Sequence, residues 1–252
     1  MGSQRSFVFF ILASIFGSIF GQQEFLQHFC MDKNGFYTRG SVYEKNLNTL
    51  LSRLPSLIDS YGYSNSNSGK VPDRANAVVI CRGDVSSDAC RDCVKRSVPM
   101  LTKLCPTTKA AVGWLDYCML RYSSGPLTGP QSISPNETFW VYNDQRNTTS
   151  PDQFNKVLQS LLEDLKPKAA AGGSRLKFAA GNRLGPDFQS IYAIVQCAPD
   201  LSAVTCSDCL TRTFSLYPIC CDKRIGGRVI TPNCNFRYEI GAFYNQTRSS
   251  NL

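Results

Sequence analysis

The sequence contains almost no histidine, and it has no long apolar run after its first twenty residues. His28 is the single histidine in 252 residues, so a Ser–His–Asp or Cys–His catalytic group has only this residue to draw on. A glycine-rich phosphate loop and a spaced set of metal ligands are both missing from the chain. These absences argue against an enzyme and predict a protein without a catalytic residue, cofactor or metal.

The apolar run at the amino terminus is too short to span a membrane. It covers residues 7–20, about fourteen residues, whereas a membrane helix needs roughly twenty. Arg5 precedes the run, and the small residues Gly17 and Gly21 lie near its end. This pattern favours a secretory signal peptide at residues 1–21 over a buried amino-terminal helix. Because no later segment is apolar enough to cross a bilayer, we expect a secreted, extracellular chain.

Cysteine content and glycosylation signals are consistent with secretion. The twelve cysteines would form disulfides in an oxidising compartment. Three N-glycosylation sequons begin at Asn136, Asn147 and Asn245. We therefore predict a disulfide-bonded glycoprotein.

The formal net charge of +8 comes from basic residues that are scattered along the chain. Scattering favours a soluble basic surface over a specific anion site. A secreted protein has little access to nucleic acid, so acidic cell-wall polysaccharide is the more reasonable polyanionic partner.

The sequence is an internal repeat, because five cysteines recur at a constant offset of 116 residues. The flanking residues also agree, since Arg121-Tyr122 and Arg237-Tyr238 follow the last cysteine of each set. The paired positions are Cys81 and Cys197, Cys90 and Cys206, Cys93 and Cys209, Cys105 and Cys221, and Cys118 and Cys234.

Hydrophobic periodicity predicts an α+β fold for each copy. Leucines at helical spacing predict a first helix at residues 42–57 and 154–165, and second helices are predicted at 87–104 and 203–216. Ser150 before Pro151 suggests a helix start. Residues 114–122 and 228–244 are rich in aromatic and β-branched residues and are predicted as strands. Two helices and several strands per copy indicate helices packed on an antiparallel sheet.

These patterns divide the chain into five segments. We expect a signal peptide at 1–21, a first domain at 22–125, a linker rich in Ser, Gly and Pro at 126–136, a second domain at 137–247 and a tail at 248–252.

Structural disulfides are favoured over zinc or redox chemistry for the C-x2-C pairs, because no histidine accompanies them. Cys30 occurs only in the first copy and can close a long loop onto Cys105, which the chain-entropy model values at roughly 4.5 kcal/mol. Cys220 occurs only in the second copy, beside Cys221. A vicinal bond there would be strained, so a free thiol or another pairing stays open.

The C-x8-C-x2-C motif and the segment from Gly226 to Glu239 resemble the plant cysteine-rich repeat secretory proteins. Their domain is similar to the antifungal protein ginkbilobin and also forms the ectodomains of cysteine-rich receptor-like kinases and plasmodesmata-located proteins. The resemblance covers nearly all of the chain after residue 21. It implies two domains, each with a five-stranded antiparallel sheet and two helices. It also implies the pairs Cys30–Cys105, Cys81–Cys90, Cys93–Cys118, Cys197–Cys206 and Cys209–Cys234.

The resemblance further implies a mannose site made of an Asn, an Arg and a Glu. The matching positions are Arg228, six residues before the last cysteine, and Glu239, five residues after it. The third position precedes the first helix of the second copy, where Asn143 and Asp144 are the two nearest residues, and Asn143 is the amide. The first copy has Val112, Ser123 and Met31 at these positions. The alternative interpretation is that Arg228 and Glu239 form an exposed cross-strand ion pair.

Two functions therefore follow from the sequence. The first is a non-enzymatic extracellular protein of plant defence or stress response that binds a mannose-containing glycan or the cell wall. The second is an interaction module for receptor ectodomains or other apoplastic proteins. Direct antifungal action would be compatible with either function. Trp114 and Trp140 could stack on sugars, although we expect both to pack in the core.

Overall fold

The computed structural model describes residues 25–127, 137–144, 146–173 and 176–249. The predicted signal peptide, the sequon at Asn136 and nearly all of the predicted linker lie outside these residues. The first domain contains five strands and two helices in the order β1 (Gln27–Cys30), α1 (Val42–Leu57), β2 (Tyr63–Ser68), β3 (Ala75–Cys81), α2 (Ser87–Leu104), β4 (Ala110–Trp114) and β5 (Cys118–Ser123).

The second domain repeats this order and adds two short helices, α5 (Tyr217–Cys220) and α6 (Gln246–Ser249). Its elements are β6 (Phe139–Tyr142), α3 (Pro151–Ala171), β7 (Lys177–Leu184), β8 (Ser190–Cys197), α4 (Ala203–Phe214), α5, β9 (Gly227–Ile230), β10 (Cys234–Glu239) and α6. The strand orders β1-β4-β5-β3-β2 and β6-β9-β10-β8-β7 are the same, and every pairing is antiparallel. The predicted fold class, two tandem α+β domains, is therefore confirmed.

The helices begin where side-chain caps satisfy free backbone N–H groups. Ser41 accepts from the Glu44 N–H at 3.2 Å, and Ser86 accepts from the Ala89 N–H at 3.2 Å. Helices α1 and α2 have the predicted bounds. Helix α3 begins at Pro151 with Ser150 at the N-cap position, as Ser150 before Pro151 predicted, although the Ser150 side chain makes no capping hydrogen bond. The helix runs on to Ala171, so the predicted end at residue 165 is wrong.

Both long strand predictions are wrong in one respect, because each segment is a hairpin rather than one strand. The first is interrupted at residues 115–117, between β4 and β5, and the second at residues 231–233, between β9 and β10. In the first turn Leu115 and Tyr117 continue the apolar alternation on either side of Asp116, whereas in the second the Pro and Asn of Thr-Pro-Asn are themselves turn residues. The first of these turns carries Asp116.

The two sheets pack against each other, and their helices cover the outer faces. Each helix-side core is built from leucines of the first helix and from alternate residues of the central strands. A separate apolar cluster joins the inner faces of the two sheets. It contains Val112, Trp114 and Met119 from the first domain and Phe139 and Ile230 from the second. The inner faces therefore form a buried interface between the domains.

Polar contacts also cross this interface. The Gln196 side chain donates to the Cys81 carbonyl at 2.8 Å, and the Asn245 N–H donates to Asp84 Oδ2 at 3.0 Å. Gly83 lies against the ring of Phe178, and a Cβ on Gly83 would overlap that ring. Close backbone approach at Gly83 thus allows the domains to meet.

Candidate functional site

Asn143, Arg228 and Glu239 line one cavity of about 370 Å³. Arg228 lies on β9 and Glu239 ends the neighbouring strand β10. Asn143 directly follows the edge strand β6, and its N–H donates to the Gly226 carbonyl at 2.9 Å. Three residues that are far apart in sequence therefore lie together because β9 pairs with both β6 and β10.

The strand register identifies Asn143 as the counterpart of Met31. Cys30 lies opposite Ala111, and Tyr142 lies opposite Gly227. Because Ala111 and Gly227 are related by the offset of 116, Tyr142 takes the position of Cys30 in the edge strand. The next residue is Met31 in the first copy and Asn143 in the second.

Gly226 gives the Glu239 carboxylate its place at the cavity. A Cβ on Gly226 would overlap this carboxylate. A side chain at residue 226 would therefore displace Glu239. The Gly-Gly pair serves local packing as well, since a Cβ on Gly227 would come within 2.8 Å of Cys221 Sγ.

The first domain contributes a carboxylate to the same cavity. Asp116 lies in the turn between β4 and β5 and lines the cavity together with Arg228 and Glu239. Its Oδ1 accepts from Arg228 Nη1 and from Arg237 Nη1, each at 3.1 Å. Its Oδ2 accepts from Arg82 Nη1 at 3.1 Å. Three guanidinium groups, one from the first domain and two from the second, thus converge on one carboxylate.

The alternative interpretation of Arg228 and Glu239 as an exposed cross-strand ion pair is wrong. Arg228 is only 7% exposed, lies opposite Arg237 in the sheet and pairs with Asp116. Glu239 accepts instead from Arg237 Nη2 at 3.2 Å. The Arg237 guanidinium also lies 4.3 Å from the centre of the Phe243 ring, where a cation–π contact helps to hold it.

Burial changes the ionisation of both charged members of the set. Burial lowers the pKa of Arg228 to about 10, with Asp116 opposing this change and Arg237 and Arg82 adding to it. Arg228 therefore stays positively charged at neutral pH. Burial raises the pKa of Glu239, and the ion pair with Arg237 partly offsets the increase.

Chemically, the cavity presents hydrogen-bonding groups of all the types that a sugar needs. Guanidinium groups donate, carboxylates accept, and an amide can do both. Arg228 Nε is buried and has no hydrogen-bond partner among the described residues. Such a set can bind vicinal hydroxyl groups through directed, charge-assisted hydrogen bonds.

The two tryptophans differ in their environments. Trp114 is 3% exposed and packs between the sheets, as expected. Trp140 is 41% exposed on edge strand β6, so the expectation that it packs in the core is wrong. Tyr142, two residues along the same strand, is 46% exposed and lines the cavity. Arg224 covers the Tyr142 ring at 4.7 Å.

The first copy lacks the equivalent cavity residues. Val112 is fully buried in the cluster between the sheets, and Ser123 and Met31 carry no charge. Arg121, the counterpart of Arg237, pairs instead with Glu137 at 3.4 Å, and both side chains are buried. The first copy therefore uses its inner face for domain packing.

Six disulfides stabilise the two domains, and each lies within one domain. Five of them are the pairs that the family resemblance implies: Cys30–Cys105, Cys81–Cys90, Cys93–Cys118, Cys197–Cys206 and Cys209–Cys234. The sixth joins the adjacent residues Cys220 and Cys221, whose pairing the sequence does not decide.

A potential metal-binding group among the described residues is formed by His28, Cys30 and Cys105. The two cysteines are joined in a disulfide, so neither offers a thiolate. This group does not fit a metal while the disulfide is intact.

None of the helices in the described part of the chain combines the length and the apolar character that crossing a bilayer requires.

Comparison with known proteins agrees with this architecture. Residues 29–125 and 142–240 each match the family model described as salt stress response/antifungal. The chain is 40% identical to cysteine-rich repeat secretory protein 38 of Arabidopsis thaliana over 220 residues, which is 87% of this chain and 85% of that protein. It is 39% identical to the antimicrobial ginkbilobin-2-like protein of Castanea crenata over 219 residues, 86% of this chain and 88% of that protein.

A solved structure and a kinase relative extend the comparison. The tandem DUF26 ectodomain of PDLP8 from Arabidopsis thaliana superposes with a TM-score of 0.71 at 23% identity, covering 86% of this chain and 98% of that chain. Cysteine-rich receptor-like protein kinase 25 of the same plant is 40% identical over 246 residues, 96% of this chain but only 35% of the kinase.

The duplicated fold and its disulfides define a tandem protein of two cysteine-rich α+β domains. The chain belongs to the salt stress response/antifungal family, with one family domain in each half.

Proposed function

We propose that this chain is a secreted, non-enzymatic extracellular protein of plant defence or stress response that binds mannose-type units of a glycan in the cavity of its second domain. The observation that carries the proposal is the convergence of Asn143, Arg228 and Glu239 on one cavity. The register that aligns Asn143 with Met31 supports the choice of the amide. Similarity to a secretory protein and to an antimicrobial protein supports the extracellular role.

Geometry favours a sugar over an apolar ligand. Five charged side chains and the Asn143 amide line the cavity beside the apolar residues Leu26 and Val141. Its aromatic residue, Tyr142, lies at an exposed position. Sugar rings present hydroxyl groups at their edges and C–H groups on their faces, so a polar set beside an aromatic ring suits them. Because the first copy has Val112, Ser123 and Met31 instead, one glycan unit should bind per chain.

The test is binding of an oligomannose series to the purified full chain, measured by calorimetry. Asn143→Ala and Glu239→Gln should each weaken binding at least about tenfold, because each removes a hydrogen bond to a charged or polar partner. Asn67→Ala on the exposed strand β2 and Glu163→Gln on α3 are matched controls that should bind like the wild type. Equal binding by the wild type and an Arg228→Ala, Glu239→Ala double variant would reject the site.

Recognition of a receptor ectodomain or another apoplastic protein is the second candidate. It is favoured by the exposed side chains of edge strand β6, where Trp140, Val141 and Tyr142 are 41%, 37% and 46% exposed. Aromatic residues are enriched in protein interfaces. Retention of a purified receptor ectodomain that excess mannose does not reduce, and that Trp140→Ala abolishes, would favour this function.

A further inference from the structure

Both domains build the cavity described above, although the three residues of the proposed sugar site, Asn143, Arg228 and Glu239, all come from the second domain. Asp116 reaches it from the β4–β5 turn of the first domain. At this position the second copy has Pro232, by the offset of 116, so the carboxylate has no repeat equivalent. The turn is thus common to both copies, but its carboxylate is present only in the first, where the turn meets the second domain.

Asp116 controls the charge that a ligand meets. Two guanidinium groups, Arg228 and Arg237, and three carboxylates, Asp116, Asp144 and Glu239, line the cavity. Both guanidinium groups donate to Asp116 at 3.1 Å. Asp116 therefore neutralises part of the positive charge of the two guanidinium groups. The five charged residues that line the cavity sum to a formal charge of −1.

Asp116 also retains capacity for a ligand. Its side chain is 30% exposed. A carboxylate offers about four acceptor positions, and three are used by Arg82, Arg228 and Arg237. One acceptor position remains for a hydroxyl group of a ligand, whereas a ligand carboxylate would be repelled.

We infer that Asp116 is a specificity-determining residue of this cavity, which it restricts to neutral hexoses and closes to uronic acids; the inference rests on the proposed sugar-binding function. Removal of the Asp116 charge would leave Arg228 buried, charged and without its anion. A ligand carboxylate would then replace Asp116 as the partner of Arg228 and Arg237. An acidic cell-wall polysaccharide would accordingly be a partner of the altered cavity and not of the native one.

The experiment compares two ligands that differ at C6 of each ring, where the neutral hydroxymethyl group of one is a carboxylate in the other. β-1,4-linked mannotetraose and tetramannuronate share the mannose configuration, and the second carries a carboxylate in each ring. Binding of both to the full chain is measured by calorimetry at 150 mM salt, for the wild type, Asp116→Asn and Asp116→Ser. The control is Asp84→Asn, because Asp84 pairs with Arg82 at the same domain interface but does not line the cavity.

The expected result is that both Asp116 variants raise the affinity ratio of tetramannuronate to mannotetraose at least about tenfold, and Asp84→Asn does not. Two charge-removing variants are used so that poor folding of one still leaves a test. An unchanged ratio in a folded Asp116 variant overturns the inference. If the wild type binds neither ligand, the proposed function fails. The inference is then supported only by new tetramannuronate binding in the Asp116 variants and is overturned without it.

Discussion

Cys30 and Tyr142 occupy the same position in the edge strands of the two domains. Cys30 is bonded to Cys105, which follows α2. Tyr142 instead faces a cavity, beneath the Arg224 guanidinium. The exchange of a cysteine for a tyrosine leaves the end of β6 without the covalent link that holds the end of β1, and Cys221, the counterpart of Cys105, is bonded to Cys220 instead.

The first prediction concerns the two disulfides that the copies do not share. Cys30–Cys105 spans 75 residues of sequence, whereas Cys220–Cys221 joins neighbours. On the chain-entropy model, replacing both members of the long pair by serine should cost about 4.5 kcal/mol of unfolding free energy, and the same change in the adjacent pair about 1 kcal/mol. Urea denaturation of the two double variants measures this difference, and equal losses would contradict it.

The second prediction concerns the domain interface at Gly83. Gly83→Ala should lower the free energy of unfolding by about 1–3 kcal/mol, because the new methyl group overlaps the Phe178 ring. Phe178→Leu in the same chain should recover part of the loss by making room. Gly125→Ala is the control, since its Cβ would meet only Ser123 Oγ at 3.7 Å. The measurement is thermal unfolding of the wild type, the two Gly83→Ala proteins and the control. A Gly83→Ala protein as stable as the control would show that the interface is loosely packed.

The third prediction concerns the pH dependence that Glu239 adds to stability. Burial raises its pKa above the ordinary value of 4.5, so the folded state binds this proton more tightly than the unfolded state. The favourable contribution is complete below the unfolded pKa and is lost as the pH rises through the folded pKa. Glu239→Gln, which stays neutral, should therefore gain stability relative to the wild type between pH 4 and pH 7. Parallel urea titrations at both values measure the gain, and a constant difference would contradict the assignment.

The fourth prediction concerns glycosylation. Asn147 and Asn245 are both exposed, although each side chain oxygen already accepts a hydrogen bond, from Arg224 and from the Arg248 N–H respectively. The amide nitrogen, to which the glycan is attached, is not used in these bonds. Chain secreted from plant cells should therefore lose mass after enzymatic removal of N-glycans, and Asn147→Gln and Asn245→Gln should each reduce that loss. A variant that loses as much mass as the wild type on removal of N-glycans would show that its sequon is unused.

Sequence predicted the fold well because each signal was local or repeated. Leucines at helical spacing located α1, and serine caps agree with the starts of α1 and α2. The offset of 116 predicted the tandem arrangement before any contact was known. Two turns inside the hairpins were missed. At residues 115–117 the sequence Leu-Asp-Tyr continues the alternation, whereas residues 231–233 are Thr-Pro-Asn, whose turn residues the strand prediction passed over.

Less of the candidate site could be predicted, because its chemistry depends on how the domains meet. Arg228 and Glu239 could be named from the resemblance, and Asn143, with Asp144 as the alternative, from its position before the first helix of the second copy. Nothing in the sequence around Asp116 marks it as a partner of Arg228, which is 112 residues away. The contact exists only because the β4–β5 turn of one domain reaches the sheet of the other. Residues at such a meeting point carry no periodic or motif signal.

Every disulfide joins two cysteines of the same domain, so no disulfide connects the two domains. The halves are held by the apolar cluster around Trp114 and Phe139 and by the arginines around Asp116, without a covalent cross-link other than the chain itself. A protease cut between residues 127 and 137 would leave two stapled fragments whose complementary faces still match. Because residues of both fragments line the cavity, it would exist only while the two fragments are associated.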